Sequence, residues 1–367
     1  MTTTESPPSE VRESPLDERI LAAVTASFEL AAVHLGAKLG WYRALAEAAA
    51  TAPELAERTD TDARYAREWL EQQAVAGYLH EEDVRAEPDA RRYRLPAEHR
   101  EVLVDELNLS YMPPFAQMAL AFTRNVDRLA EVYRTGGGLS WAEMGPDARE
   151  SEAAANRPYY LGPFATEDLP SLPAVDAALR AGGRVADVGC GMGWSSIGIA
   201  RAYPNARVDG YDIDEPSMEQ ARRNAEEMSV ADRVRFQVSD VGQLGDAERT
   251  GVYDLAIALE CVHDMPDPVA VLAAMRRMVG PDGTVLVMDE RVGEEFTAPG
   301  DDVERLMYGF SVTCCLPDAR ATRPSVGTGT VMRPPTLRRY AREAGFADVD
   351  VLPIENPVFR FYRLALR

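Results

Sequence analysis

The sequence is poor in cysteine, histidine and positive charge, and each shortage excludes a class of protein. Its 367 residues include four cysteines and four histidines, and 60 acidic side chains outnumber 39 basic ones. The cysteines lack the paired spacing of zinc-binding motifs, so we expect free thiols and no metal site. A formal net charge of −21 repels phosphate backbones and anionic lipids, so we expect no nucleic-acid or membrane partner.

Long apolar runs are also missing. No run of 18 apolar residues occurs, which is the length that a membrane span needs. The first residues, MTTTESPPSEVRESPLDER, do not show the basic and then apolar pattern of a secretory signal. They are rich in Ser, Thr, Pro and Glu, so we expect residues 1–18 to form a disordered tail. A cytoplasmic location fits these features.

The length of the chain predicts two or three domains. Residues 19–100 are rich in Ala and Leu at helical spacing. Thr51 and Glu54 have the spacing of a capping box, and the later segment RRYRLP predicts a short wing strand. Helices followed by such a wing are typical of a winged-helix domain. Residues 101–180 are predicted to be a mostly helical linker, in which NRPYYLGPFATEDLPSLP forms a loop.

From residue 181 to residue 367, apolar strands alternate with helices. Helical patterns separate the segments RVADVG, ARVDGYDID, VRFQVSD, YDLAIALEC and GTVLVMDE, which predicts a doubly wound, mostly parallel sheet. Only a few residues separate the last two strands, FADVDVLPI and FRFYRLAL, and such a short link permits only an antiparallel pair. We therefore expect an α/β domain whose seven-stranded sheet ends in an antiparallel hairpin, with a long insertion at residues 291–335.

A glycine-rich turn follows the first of these strands, in RVADVGCGMGW. Gly189, Gly191 and Gly193 stand at alternate positions. The dinucleotide fingerprint GxGxxG is excluded, because Trp194 occupies its last position, where helix and strand must pack closely. A P-loop is excluded because no GK[ST] follows. Asp187, two residues before the first glycine, favours a ligand that carries positive charge.

Residues 184–290 resemble a class I methyltransferase, whose cofactor S-adenosyl-L-methionine (SAM) is cationic. The family's first motif, an acidic residue followed by GxGxG, stands here from Asp187 to Gly193. The resemblance implies that Asp212 accepts from both ribose hydroxyls, and that Asp240 and the Val241 amide meet the adenine. We assign ten residues to this cofactor site: Asp187, Gly189, Cys190, Gly191, Gly193, Asp212, Ile213, Asp240, Val241 and Glu260.

The fourth strand runs into LECVHDMPDP, where strand ends face the ligand crevice. Small-molecule O-methyltransferases of the plant and antibiotic-tailoring type carry a His-Asp pair here, with the histidine as general base, and an N-terminal winged-helix dimerisation domain. The resemblance therefore implies His263 and Asp264 as catalytic residues, and a homodimer. A histidine near pKa 6.5 can take the proton of a phenol of pKa about 10. Met265 replaces the family's usual tryptophan, and a purely structural role for His263 in its loop stays open.

Three functions remain open from the sequence. The first is SAM-dependent methylation of a small molecule, such as an aromatic or natural-product hydroxyl, with residues 101–180 and the insertion 291–335 covering the acceptor. The layout is also similar to actinobacterial methyltransferases of unknown acceptor. The second is a winged-helix regulator that senses SAM or a metabolite. Its predicted recognition helix mixes two arginines with three acids, which disfavours DNA binding: Arg64, Arg67, Asp62, Glu68 and Glu71. The third is SAM binding without methylation. The acceptor, and the choice between O-, N- and C-methylation, are not determined.

Overall fold

The computed structural model describes residues 15–245 and 250–367, and the chain divides into two compact units, Met1–Asp105 and Glu106–Arg367. Most of the predicted tail falls outside the described residues, but the first helix begins at Leu16, so residues 16–18 are helical rather than disordered. The helical region predicted over 101–180 groups with the second unit from Glu106 onwards.

The first unit is helical and contains a small hairpin. Its elements in chain order are α1 Leu16–Lys38, α2 Trp41–Glu47, α3 Ala52–Thr59, α4 Ala63–Val75, β1 His80–Glu81, β2 Tyr93–Arg94 and α5 Arg100–Leu103. Strands β1 and β2 pair antiparallel, which confirms the predicted wing. The capping box of Thr51 and Glu54 is formed at the start of α3.

Helix α1 is apolar and mostly exposed. Five of its large apolar side chains are between 48% and 70% exposed: Leu16, Ile20, Leu21, Phe28 and Leu35. Among the described residues it is the one helix that is long and apolar enough to cross a membrane, and 11% of the relevant 18-residue window is buried. The absence of a membrane partner and the cytoplasmic location therefore stay predictions.

The second unit is an α/β domain preceded by helices. Its elements in chain order are α6 Pro113–Thr123, α7 Val126–Thr135, α8 Trp141–Met144, α9 Pro146–Leu161, α10 Pro173–Arg180, β3 Arg184–Val188, α11 Trp194–Ala202, β4 Arg207–Asp212, α12 Glu215–Glu227, β5 Val234–Val238, β6 Tyr253–Leu259, α13 Pro268–Met278, β7 Val279–Glu290, α14 Asp302–Phe310, α15 Leu316–Ala319, α16 Pro334–Glu343, β8 Asp348–Val351 and β9 Phe359–Ala365. Two π-helical turns, Phe164–Asp168 and Ser311–Cys315, follow α9 and α14.

Seven strands form one sheet in the order β5-β4-β3-β6-β7-β9-β8. Strands β3 to β7 are parallel, and β9 pairs antiparallel with both β7 and β8, which confirms the predicted sheet and its terminal hairpin. Two apolar cores cover the sheet, one containing Ile197 and Met218 and the other Leu272 and Leu337. The order of connection reverses between β3 and β6. In open sheets of this kind, ligands bind at that point, outside the carboxyl ends of the strands.

The loop predicted at residues 156–173 is wrong. Helix α9 continues to Leu161 with Pro158 inside it, and a π-helical turn follows. Tyr160 and Phe164 of this segment are buried in the same core as Phe361. A proline inside a helix costs about 3 kcal/mol. Burial of each large aromatic side chain contributes roughly 1.5–3 kcal/mol, so the two rings together outweigh the proline.

Candidate functional site

The glycine-rich turn between β3 and α11 has a backbone that suits glycine. Gly189, Gly191 and Gly193 have φ values of 73°, 50° and 81°. A Cβ at Gly193 would lie 2.5 Å from the Phe236 ring, and one at Gly189 would lie 2.7 Å from the Cys261 sulfur. A Cβ at Gly191 would meet nothing within 4 Å. Two of the glycines therefore permit close packing, and Gly191 leaves the backbone open to a ligand.

Asp187 is directed into the protein beneath this turn. It is 1% exposed, and its Oδ2 accepts from the hydroxyls of Ser195 and Ser196, each at 2.6 Å. Burial raises the pKa of Asp187 to about 6, although both hydrogen bonds lower it. The two serines lie in the first turn of α11, so Asp187 ties the helix to the strand. It also places negative charge close under the glycine turn.

Asp212 is the last residue of β4, and Asp240 lies two residues after the end of β5. Asp212 accepts from the Gly191 amide at 2.8 Å and from the Asp214 amide at 2.9 Å, and burial raises its pKa. Asp240 accepts from the Gly242 amide at 2.9 Å. Asp212 therefore ties its own loop to the glycine turn, and Asp240 orders its own loop. Each keeps lone pairs for a ligand, since an ionised carboxylate has about four acceptor positions.

The other residues assigned to the cofactor site near the ends of β3, β4 and β5 differ in exposure. Ile213 is 68% exposed beside Asp212, whereas Val241 is 3% exposed and packs into a core. The Cys190 thiol is buried, 3.7 Å from the sulfur of Met218. Ile213 therefore offers an apolar surface, whereas the Cys190 amide donates to the Tyr211 carbonyl and the Cys190 carbonyl accepts from the Gly193 amide, so Cys190 orders the turn. All four cysteines are free thiols, as expected.

A buried histidine lies at the ends of β6 and β7, which form the second half of the site. His263, in a turn after β6, is 2% exposed. Its Nδ1 lies 2.9 Å from Asp289 Oδ1, and its Nε2 lies 3.2 Å from Asp264 Oδ1. Glu290 Oε2 is 3.8 Å from Nδ1. Asp289 and Glu290 end β7, which pairs with β6, and this pairing brings the four groups together. Sequence reasoning missed both acids, although MDE visibly ends the strand that follows the His263 segment.

Three carboxylates determine the charge of the His263 ring. Burial lowers the pKa of His263, but Asp264, Asp289 and Glu290 raise it by more, so it lies well above the usual 6.5. Burial also raises the pKa of Glu290, an effect that His263 opposes. Asp289 Oδ2 and Glu290 Oε2 are buried and have no hydrogen-bond partner among the described residues. A shared proton or a bound cation is needed to compensate these oxygens.

Two groups of potential metal ligands have His263 in common. One group joins it with Asp264 and Cys315, the other with Asp289 and Glu290, and the donor atoms of each group lie within 4.8 Å of one another. A protonated His263 compensates part of this negative charge without a metal. The absence of a metal site stays a prediction.

Glu260, directly after β6, joins the site to helix α9. Its φ of 54° lies in the left-handed region, which is uncommon for a residue with a side chain. Glu260 accepts from the Tyr160 hydroxyl at 2.5 Å and from the Asn156 amide group at 3.4 Å. The same amide group donates to Glu152 at 2.9 Å. Burial raises the pKa of Glu152 to about 7 and that of Glu260 to about 8.

The groups at these strand ends fit SAM. The cofactor combines a sulfonium, an ammonium, a carboxylate and two ribose hydroxyls. Glu152 and Glu260 are half-buried carboxylates, and the groups that donate hydrogen bonds to them are the neutral side chains of Asn156 and Tyr160. The open backbone at Gly191 lies beside Asp212, which is available for hydroxyl groups.

Comparison with known proteins agrees with this geometry. A family described as "Methyltransferase domain" matches residues 179–315, and one described as "Rv2258c-like winged HTH domain" matches residues 29–105. The ubiquinone biosynthesis O-methyltransferase of Aromatoleum aromaticum is 30% identical over 185 residues, which cover 50% of this chain and 73% of that protein. The 27-O-demethylrifamycin SV methyltransferase of Amycolatopsis mediterranei is 36% identical over 111 residues. That match covers 30% of this chain and 40% of that protein, less than half of its length.

The fold as a whole is shared with a solved structure. The mitomycin 7-O-methyltransferase superposes with a TM-score of 0.69 at 20% identity, over 95% of this chain and 97% of that chain. The predicted winged-helix domain and the predicted methyltransferase sheet are thereby both confirmed. The chain belongs to the class I SAM-dependent methyltransferases that carry an N-terminal winged-helix domain, and S-adenosyl-L-methionine is its cofactor.

Proposed function

We propose that this protein transfers a methyl group from SAM to an oxygen of a small-molecule acceptor, with His263 as general base. The observation that carries the proposal is the buried pair of His263 and Asp289, at the carboxyl ends of adjacent strands. Two relatives named for O-methylation, one in ubiquinone biosynthesis and one on a demethylrifamycin, support an oxygen acceptor. Aromatic and natural-product hydroxyls are the acceptors that we expect.

The first half of the site holds the cofactor in this proposal. The backbone of Gly189, Gly191 and Gly193 lies against it, Asp212 accepts from its ribose hydroxyls, and the loop at Asp240 meets its adenine. When bound, SAM supplies a methyl group on a sulfonium, which is open to in-line displacement by an oxygen. Asp187 contributes its negative charge from beneath the turn, because its own hydrogen bonds go to Ser195 and Ser196.

His263 takes the acceptor's proton at Nε2. A proton on Nδ1 is donated to Asp289 at 2.9 Å, which fixes the tautomer in which Nε2 is the basic nitrogen. Asp264, 3.2 Å from Nε2, stabilises the imidazolium that forms. The raised pKa of His263 brings the base closer to a phenol of pKa about 10, so the proton transfer is less unfavourable than to an ordinary histidine.

The acceptor reaches His263 past the insertion at 291–335. The Gly329 amide donates to the His263 carbonyl at 3.1 Å, and the Val326 amide donates to the Pro266 carbonyl at 3.0 Å. These contacts hold the insertion over the histidine turn. Because His263 is 2% exposed, acceptor entry requires displacement of this cover.

Methyl transfer is tested with SAM labelled in its methyl group and a panel of phenols, carboxylates and amines. We expect label in the methyl ethers of phenols. Label found only in methylated amines, or in no acceptor although SAM binds, would contradict O-methylation. The alternative of a regulator predicts nanomolar binding of duplex DNA at physiological salt, whereas we expect no gel shift.

We also propose that α1 mediates a homodimer. Its exposed leucine, isoleucine and phenylalanine side chains lie along one helix, and clustered exposed apolar side chains mark surfaces that other molecules cover. Light scattering should give twice the chain mass of 40.3 kDa at micromolar concentration. The double substitution of Leu21→Glu and Phe28→Glu should give the monomer mass. A native protein of 40.3 kDa would contradict the proposal.

A further inference from the structure

We propose that helix α9 binds the amino-acid end of the cofactor, with Glu152 and Glu260 holding its ammonium group and Arg157 its carboxylate. The proposal rests on SAM being the cofactor. Helix α9 lies before residues 179–315, the part of the chain that matches the methyltransferase family, so that match gives it no role.

One face of α9 carries the acidic part of this arrangement. Glu152, Asn156 and Tyr160 are four residues apart, so they lie one above another on the helix. Asn156 donates to both Glu152 and Glu260, and Tyr160 donates to Glu260 at 2.5 Å. Two partly buried carboxylates that share one neutral amide repel each other when both are ionised. A cation placed between them removes this repulsion and keeps both ionised.

The backbone of Glu260 supports a binding role. The left-handed region is strained for a residue with a side chain. Such strain persists mainly where the surrounding structure and function require it. At Glu260, with φ of 54°, the conformation lets the side chain meet Tyr160 and Asn156 of α9. Glycine or asparagine would adopt this backbone more easily, but neither would place a carboxylate against α9.

Arg157, which directly follows Asn156 in α9, carries the positive charge that complements these acids. The Arg157 guanidinium lies 4.5 Å above the ring of Trp194, which directly follows the glycine turn. Its Nε is buried and has no hydrogen-bond partner in the part of the chain that the structure describes, and its Nη1 lies 3.7 Å from Glu106 Oε2, longer than a hydrogen bond. A buried N–H without an acceptor is costly, and a carboxylate ligand supplies that acceptor with two parallel bonds.

The packing of α9 places both charges next to the cofactor turn. A Cβ at Gly198 of α11 would lie 2.1 Å from the Tyr160 carbonyl oxygen, so the two helices are in backbone contact there. Helix α11 begins directly after Gly193. A ligand with an ammonium and a carboxylate on the same carbon matches the opposite charges at positions 152 and 157, whereas a simple amine would use the acids alone.

Truncated ligands test this assignment by calorimetry on the full chain. S-adenosylhomocysteine contains the amino-acid end and lacks the sulfonium, and 5′-methylthioadenosine lacks both. We expect Glu152→Gln, Glu260→Gln and Arg157→Gln each to weaken S-adenosylhomocysteine binding by about 10- to 100-fold, as for loss of a hydrogen bond to a charged group. Binding of 5′-methylthioadenosine should not change, which also shows that each variant is folded. Glu150→Gln, exposed on the same helix, is the matched control and should change neither.

Other outcomes would overturn the assignment. Unchanged S-adenosylhomocysteine affinity in the three variants, or equal losses for both ligands, would remove α9 from amino-acid recognition. A loss of affinity for SAM but not for S-adenosylhomocysteine would show that Glu152 and Glu260 contact the sulfonium instead of the ammonium. Arg157→Gln should leave decarboxylated SAM binding unchanged, and a loss there would contradict the carboxylate contact. If the native chain bound neither SAM nor S-adenosylhomocysteine, the cofactor assignment itself would fail.

Discussion

The two halves of the site use carboxylates in opposite ways. At the ends of β3 and β4, Asp187 accepts from two serine hydroxyls in the first turn of α11, and Asp212 accepts from the Asp214 amide of its own turn and from the Gly191 amide of the glycine turn. At the ends of β6 and β7, Glu260 has a left-handed backbone, and Asp289 and Glu290 each bury an oxygen without a hydrogen-bond partner among the described residues. The first half is complete without a ligand, and the second half is not.

This difference separates binding from chemistry. Buried polar groups in folded proteins are nearly always paired, so the exceptions are candidates for function. The glycine-turn half is preformed to receive a cofactor. The histidine half keeps charge and strain that a cation or a reacting proton can relieve. Substitutions in the first half should therefore change folding or cofactor affinity, and substitutions at His263 and Asp289 in the second half should change rate and pH dependence.

The largest expected effect on stability is at Gly193. A Cβ there would lie 2.5 Å from Phe236, on a backbone with φ of 81°. Gly193→Ala should lower the free energy of unfolding by about 2–5 kcal/mol, the sum of left-handed strain and overpacking. Gly191→Ala, where no atom lies within 4 Å, should cost only the strain, about 1–2 kcal/mol, and should mainly weaken cofactor binding. Urea unfolding checks both, and equal losses would contradict the distinction.

Asp212→Ala should weaken cofactor binding by about 1–3 kcal/mol, because ribose hydroxyls and the Gly191 amide lose their acceptor. Unlike the α9 variants, it should weaken 5′-methylthioadenosine and S-adenosylhomocysteine alike, since both contain the ribose. Calorimetry with the two ligands makes the comparison. Unchanged affinity for both would remove Asp212 from the ribose contact.

The pH dependence of the rate tests the carboxylates around His263. The ring must lose its proton to act as a base, so the rate should rise with pH, with a midpoint above 6.5. Asp289→Asn removes one of the charges that raise this pKa. The midpoint should therefore move to lower pH, and the maximal rate should fall roughly 10- to 100-fold because the ring loses its orienting partner. A midpoint that does not move would contradict the role given to Asp289.

The smallest effect is a gain in stability at Glu260. Because the folded pKa of about 8 lies above the ordinary 4.5, this group stabilises the fold below pH 4.5 and loses that contribution as pH rises through 8. Glu260→Gln should therefore stabilise the cofactor-free protein at pH 9 by about 1 kcal/mol. Each kcal/mol corresponds to about 2–4 °C in melting temperature. Glu150→Gln is the control and should not change the melting temperature. A lower melting temperature for Glu260→Gln alone would contradict this prediction.

The sheet and the glycine turn were predictable because their signals are local. The strand pattern, the spacing of Gly189 to Gly193 and the short link before β9 each depend on a few neighbouring residues. The end of helix α9 was not predictable in this way. Pro158 indicates a break in the helix, and only the burial of Tyr160 and Phe164 offsets the cost of that proline.

The partners within the site were harder still. His263 was found through the resemblance, but its contact with Asp289 depends on the pairing of β6 with β7. Glu152 and Asn156 are more than 100 positions from Glu260 along the chain, and no local pattern links them. Side-chain contacts over such separations are set by packing, which composition and periodicity do not encode.

The central claim is that His263 is the general base of an O-methyltransferase. The most direct measurement compares a phenol with a carboxylate acceptor, each assayed in the native protein and in His263→Ala. For the phenol, turnover should fall roughly 10²- to 10⁴-fold while SAM affinity stays nearly constant. The carboxylate is already ionised at neutral pH, so its methylation should be nearly unaffected. Equal and small losses for the two acceptors would show that His263 is only a structural residue of its turn.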